Sequence, residues 1–158
     1  MPRRGGVKTR KVEPDPVYKN KLVTKLINRA MKDGKKGAAE KQIYRAFEII
    51  KEKEEDPIKV FTAAMDNIRP EMEVRPRRIG GAAYQVPMPV KGSRKDALAI
   101  RWLIGAARAR SNSEFKTFGD KLAVEIMESA EGEGAAVKKR ADMERMAEAN
   151  RAFAHFRW

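Results

Sequence analysis

Arg94, Arg101 and Arg108 recur every seven residues. On a helix that interval puts three guanidinium groups on one stripe, each able to grip a phosphate through two parallel N–H donors. The same chemistry recurs elsewhere in the chain. Lys25 and Lys32 fall opposite an apolar stripe, Lys35 and Lys36 sit between Gly34 and Gly37, Arg75, Arg77 and Arg78 crowd one short segment, and Lys95, Arg110, Lys138 and Lys139 extend the clusters. The opening MPRRGGVKTRKVEPDP adds Arg3, Arg4, Lys8, Arg10 and Lys11. Any one surface lysine is ordinarily just solvated. Several clusters together imply a polyanion, and neutralising roughly six to ten phosphates gives the steep salt dependence of a nucleic-acid binder.

Catalytic chemistry finds no comparable support. His155 is the only histidine and cysteine is absent, so neither a histidine-ligated nor a cysteine-ligated metal site of the usual kind can be built. A histidine relay has no second member. Ser113 and Lys116 match a bare Ser-x-x-Lys pattern without its companion motifs, and helix capping explains the serine better. Gly132 and Gly134 lack the third glycine of a dinucleotide fingerprint, and Gly34 and Gly37 lack the spacing of a nucleotide P-loop. The expectation is no enzyme, no metal and no cofactor.

Composition agrees. The 158 residues carry 35 Lys plus Arg against 22 Asp plus Glu, a formal charge of +13, which repels itself unless a polyanion neutralises it. The basicity is local: residues 1–36 hold twelve cations against three acids, whereas residues 122–134 hold four glutamates and no base. No apolar run approaches a membrane span, and no signal-like stretch follows the start. A cytosolic protein that binds no membrane is expected.

The elements that must position these cations read as mostly α, in one helical domain over 18–151. Residues 1–17 have no apolar period and are expected to form a flexible basic arm that orders on binding. A helix is expected from Tyr18, with Val23, Leu26, Ile27 and Ala30 inward, Lys21, Lys25, Asn28 and Lys32 outward, and Gly34 as its stop. A second helix turns Ala39, Ile43, Ala46, Phe47 and Ile50 inward. A third starts at an Asp56 cap with Pro57 in first position and buries Val60, Phe61, Ala64, Met65 and Ile68.

Residues 72–90 break the helical period. Two extended segments flank Gly80 and Gly81, a pair suited to the positive φ angles of a tight hairpin turn. Pro76, Pro87 and Pro89 keep this β-ribbon out of any larger sheet. Ser93 and Asp96 match a capping box ahead of a helix with Ala97, Ile100, Ile104 and Ala107 inward. Ser113 or Asn112 is expected to cap the next, which buries Phe115, Phe118, Leu122, Ile126 and Met127 and exits at Gly132. The last helix spans about 135–151, with Val137, Ala141 and Ala147 apolar and Lys138, Lys139 and Arg140 in its first turn, opposing the helix dipole. The tail 152–158 is aromatic and basic, suited either to docking on the body or to stacking on bases.

Four blocks, DPVYKNKLVTKLINRAMKDGKK, EVRPRRIGGAAYQVP, SRKDALAIRWLIGAARAR and GAAVKKRADMERMAEANRAFAHFRW, resemble the family of the seventh protein of the bacterial small ribosomal subunit, in order and across nearly the whole chain. The resemblance implies a six-helix body with one protruding two-stranded β-ribbon. It implies binding to the three-prime major domain of small-subunit ribosomal RNA, nucleation of head assembly, and the ninth and eleventh proteins as neighbours. It also implies that Gly80, Gly81 and Tyr84 of the ribbon, with Arg140 and Arg145 of the last helix, lie near the exit-site transfer RNA. Two other classes fit the residues alone: a DNA-bending architectural protein, which would also use a proline-bearing ribbon, and an RNA-processing enzyme relying on carboxylate-bound magnesium.

Overall fold

In the structure, a computed structural model, residues 12–53 and 56–156 are described. Six α-helices surround one core, and a β-hairpin is inserted between the third and fourth.

Helix α1 (Lys21–Ala30) begins three residues later than the apolar period announces, because two polar side chains set the entry. The Asp15 carboxylate accepts hydrogen bonds from the backbone N–H of Val17 and Tyr18 and from the Tyr44 hydroxyl at 2.8 Å. Asn20 then caps α1, its Oδ1 accepting from the Leu22 N–H at 2.8 Å. The helix also ends at Ala30, short of Gly34, and the turn to α2 (Lys36–Lys53) passes through positive φ at both Asp33 and Gly34. Helix α3 (Pro57–Ile68) starts as its sequence requires: Asp56 accepts from the N–H groups of Ile58 and Lys59, and Pro57 takes a position whose missing N–H costs nothing.

The hairpin joins β1 (Met72–Ile79) to β2 (Ala82–Pro89) in antiparallel register, Met72 opposite Pro89 and Ile79 opposite Ala82. Gly80 at φ 58° and Gly81 at φ 90° close it, conformations that side chains with a Cβ rarely adopt. Eight residues per strand carry the tip about 25 Å from the base. The base is buried through Glu73 and Val86 and the tip is exposed.

Helix α4 (Ser93–Ala109) corrects one expectation: Gly92 is its N-cap, without a side-chain cap bond, and Asp96 is turned to Lys25 and Arg69 instead of back to Ser93. Leu98, Ala99 and Leu103 join Ile100, Ile104 and Ala107 in the interior, while Ala97 faces out. Helix α5 (Phe118–Ala130) is capped by Thr117, not by Ser113 or Asn112. Thr117 and Asp120 form the reciprocal capping box, which stabilises by about 1 kcal/mol. Phe115 is left in the loop, half-buried.

α5 is the central element and packs on α2, α3, α4 and α6. Gly119 allows its closest approach, since a Cβ there would lie 2.8 Å from the Gln42 carbonyl oxygen. Phe47 and Phe61 fill the middle with Leu26, Ile43, Met65, Leu103, Leu122 and Ile126, all fully buried. Each such side chain contributes about 1.5–3 kcal/mol by leaving water. Tyr18 meets Phe47 edge-on at 4.9 Å, which seats the segment before α1 on that core.

Helix α6 (Gly134–Ala149) buries only Ala136 and Ala147; Val137 and Ala141 are half-buried. Its start at Gly134 puts Lys138 and Lys139 beyond the first turn, so the expected conflict with the helix dipole largely disappears. A short 3-10 helix, Arg151–Phe156, follows and returns the chain to β2.

Candidate nucleic-acid interface

The body carries a continuous concave track lined by cations. At one end α1 and α4 enclose a groove of about 470 Å³ between Lys25, Asn28 and Arg29 on one side and Ser93, Ala97 and Arg101 on the other; Val12 lines it too. Arg29 and Arg101 also line the next recess, about 360 Å³, which reaches Arg108 across Gly105. Arg108 in turn lines a third recess, about 470 Å³, with Lys32 and Lys35 from the α1–α2 turn. Shared residues make the three one surface.

Local periodicity explains the arrangement. Lys25 and Arg29 are four apart and therefore share a face of α1, and Arg101 and Arg108 share a face of α4. Arg29 is the residue that sequence reasoning missed. Its spacing from Lys25 was the available signal.

The ion pairs sort the cations into two groups. Some are held by this chain's own acids. Arg94 leaves the expected stripe to bond both carboxylate oxygens of the buried Glu73 at 2.8 Å, and Arg75 binds the same group. Lys25 pairs with Asp96 at 2.8 Å, and Arg69 pairs with Asp96 at 2.9 Å. Arg110 points inward to the fully buried Glu125 and to Glu128. Lys36 pairs with Glu40, Arg140 with Glu144 and Arg145 with Asp142, all between 3.6 and 3.7 Å.

By contrast, Arg29, Lys32, Lys35, Arg77, Arg78, Lys95, Arg101, Lys138 and Lys139 form no ion pair among the described residues. Arg108 spends one donor on the Ala30 carbonyl at 2.8 Å and sits 5.9 Å from the Phe118 ring centroid. Arg3, Arg4, Lys8, Arg10 and Lys11 lie outside the described residues.

Apart from Lys95 in the first turn of α4, these unpaired cations form three groups: the track, the tip of the ribbon with Arg77 and Arg78, and the exposed side of α6 with Lys138 and Lys139. Tyr84 is less open than its strand position implies. Phe153 and Phe156 lie 5.3 and 5.5 Å from its ring, and the His155 ring lies tilted against Phe156 at 3.9 Å. Phe153 and Phe156 therefore dock on the body through the ribbon.

Electrostatics reinforce the held group. Burial pushes Glu73 up, but hydrogen bonds from Arg94 and Arg75 outweigh it and its pKa lies below the ordinary glutamate range. Asp96 is likewise raised by burial and lowered further by Lys25 and Arg69, ending below the ordinary range. The hydrogen bond to Glu73 raises Arg94. Burial works against charged Arg110, yet Glu128 and Glu125 leave it raised. Burial and the hydrogen bond to Asp15 push Tyr44 up to about 12.

For carboxylates depressed in the folded state, the stability they contribute is complete above their unfolded pKa and is lost as pH falls through the folded one. Glu73 ties the ribbon base to α4, and Asp96 ties α4 to α1 and to the end of α3. The midpoint temperature of thermal unfolding is accordingly expected to drop steeply as pH falls below about 4. Glu73→Gln should flatten that drop, which melts monitored by circular dichroism across a pH series would check.

Among the described residues no group of three or more His, Asp or Glu side chains is arranged to hold a metal. No helix among the described residues is long and apolar enough to cross a membrane.

Comparison with known proteins adds an independent line. The profile of the family described as Ribosomal protein S7p/S5e matches residues 2–151. The chain is 58% identical, over all of both chains, to the Small ribosomal subunit protein uS7 of Carboxydothermus hydrogenoformans. With equally full coverage it is 57% identical to the protein of that name from Thermodesulfovibrio yellowstonii and 56% to that from Caldicellulosiruptor bescii.

Proposed function

The chain belongs to the S7p/S5e ribosomal protein family, non-enzymatic structural components of the small ribosomal subunit in the cytoplasm, and on that premise we propose how it holds its RNA. The track between α1, α4 and the α1–α2 turn takes the backbone of the three-prime major domain of small-subunit ribosomal RNA. Arg29, Arg101, Arg108, Lys32 and Lys35 contact phosphates, and Lys25, at the mouth of the groove, shares its charge between Asp96 and RNA. Lys36 and Lys95 flank the path, and Arg3, Arg4, Lys8, Arg10 and Lys11 of the arm extend it. Arg94 and Arg110 position the track through Glu73 and Glu125. The single observation that carries this reading is the continuity of a concave surface whose cations, Lys25 excepted, lack acid partners among the described residues.

Recognition is mainly of shape, because side chains cannot read the deep, narrow major groove of A-form RNA. Holding several RNA segments on one rigid body is what nucleates assembly of the subunit head. The ribbon around Gly80, Gly81 and Tyr84 and the α6 residues Arg140 and Arg145 face the exit-site transfer RNA, while Arg77 and Arg78 of the ribbon and Lys138 and Lys139 of α6 contact ribosomal RNA. The ninth and eleventh proteins of the subunit are its neighbours. Tyr84, through its contacts with Phe153 and Phe156, fixes the ribbon's angle rather than stacking on a base. Family membership weighs against both the DNA-bending and the RNA-processing alternatives.

The test is binding of the purified chain to the three-prime major domain RNA across a salt series, with an equal-length scrambled RNA and a DNA duplex as competitors. Retention of the ribosomal RNA against both competitors is the expected result. Equal loss to either would reduce the chain to a generic polyanion binder.

A further inference from the structure

The third recess of the track differs from the other two. Its lining includes the cations Lys32, Lys35 and Arg108, and Asp33 is the one acid among the described residues lining it. Phe118, Ala30, Ala38 and Ala39 give it an apolar lining, and Gln42 lines it too. Two of these side chains are held in place. The Arg108 guanidinium is fixed by the Ala30 carbonyl at 2.8 Å and lies 5.9 Å from the Phe118 centroid. The Gln42 Oε1 accepts from the Gly119 N–H at 2.9 Å, which aims the opposite, NH2 end of the amide elsewhere, with no protein partner among the described residues.

A phosphate alone would use the cations and leave the aromatic wall idle. An apolar side chain would use the wall and gain nothing from three positive charges. One ligand uses both, namely a nucleotide with its base out of the stack: the base lies against an aromatic ring and a guanidinium plane, an amide reads its edge, and its phosphate meets the lysines. The size suits as well, since about 470 Å³ is within the range of small-molecule sites.

We propose that this recess is a subsite for a single unstacked nucleotide, its base lying against the Arg108–Phe118 pair and Gln42 with its phosphate at Lys32 and Lys35. The inference rests on the ribosomal-RNA reading above and adds to it a base contact within an interface that otherwise grips backbone.

Phe118 is half-buried against the core, so replacing it would confuse binding with folding. Ala38 is exposed on the first turn of α2 and lines the recess. Ala38→Trp therefore fills the space without disturbing the interior. Binding to the three-prime major domain RNA should weaken by about five- to a hundredfold, the span of base-on-aromatic stacking, with the salt slope changing by no more than about one phosphate. Ultraviolet crosslinking of the wild-type complex, mapped by mass spectrometry, should place one nucleotide on peptide 117–121, and Ala38→Trp should abolish the adduct. Wild-type affinity in Ala38→Trp, or no adduct on that peptide, overturns the subsite. Failure of the underlying reading would show differently, as wild-type protein losing its RNA to the scrambled competitor.

Discussion

Arg110→Ala is expected to destabilise the protein by about 3–5 kcal/mol, the cost of stripping a buried ion pair of one partner. Glu125 is fully buried, and its Oε2 accepts from Arg110 at 2.8 and 2.5 Å while its Oε1 accepts from the Ala136 N–H at 2.9 Å. It thereby joins the end of α4, the middle of α5 and the start of α6. Without Arg110 a carboxylate remains inside with only one backbone donor. For a domain of this size the loss lowers the melting temperature by roughly 10 °C. Glu125→Gln should cost less than Arg110→Ala, because Arg110 keeps Glu128 and the amide oxygen can still accept from Ala136. The double variant Arg110→Met with Glu125→Gln should recover part of the loss, since neither charge is then buried alone. A melting shift under about 3 °C for Arg110→Ala would mean that the pair opens to water in solution.

Arg110 also marks where sequence reading stops. The heptad of Arg94, Arg101 and Arg108 was legible, and periodicity places Arg101 and Arg108 on one side of α4, which the Arg94 side chain leaves for Glu73. What periodicity cannot supply is the acid that meets each cation after folding. Glu73 lies 21 residues from Arg94, and Glu125 lies 15 from Arg110. Both pairings depend on where folding brings β1 and α5 relative to α4, so the sequence alone offered no reason to separate Arg94 and Arg110 from Arg101. The same limit explains Asp96. Its spacing from Ser93 satisfies a capping box locally, but two cations from α1 and the end of α3 compete for its carboxylate and win, since charge-assisted hydrogen bonds exceed the neutral backbone contact.

Elements with strong local signals behaved otherwise. The Asp56-Pro57 start, the Gly80-Gly81 turn and the inward faces of α1 and α2 followed their residues directly, each being settled within one or two turns of chain. Helix α6 was least legible in its packing because its buried face is made of alanines alone, which leave almost no contrast against the helix's other face.

Arg29→Ala, Arg101→Ala and Lys35→Ala combined are expected to weaken binding to the three-prime major domain RNA by about a thousandfold. Each charge-assisted phosphate contact contributes on the order of tenfold. Each also releases counterions, so the slope of log affinity against log salt should become shallower by about 2–3. None of the three is paired with an acid among the described residues, so their removal leaves no buried charge and the fold should survive. Arg94→Ala supplies the contrast. Its guanidinium is already neutralised by Glu73, so its loss should loosen the ribbon base and reduce stability while leaving the salt slope nearly unchanged. If the triple variant keeps the wild-type slope, the track is not the backbone-binding surface. If Arg94→Ala flattens the slope as much as Arg101→Ala alone does, the Glu73 pair opens on RNA, and the chain holds its arginines in internal pairs only until phosphate displaces the carboxylate.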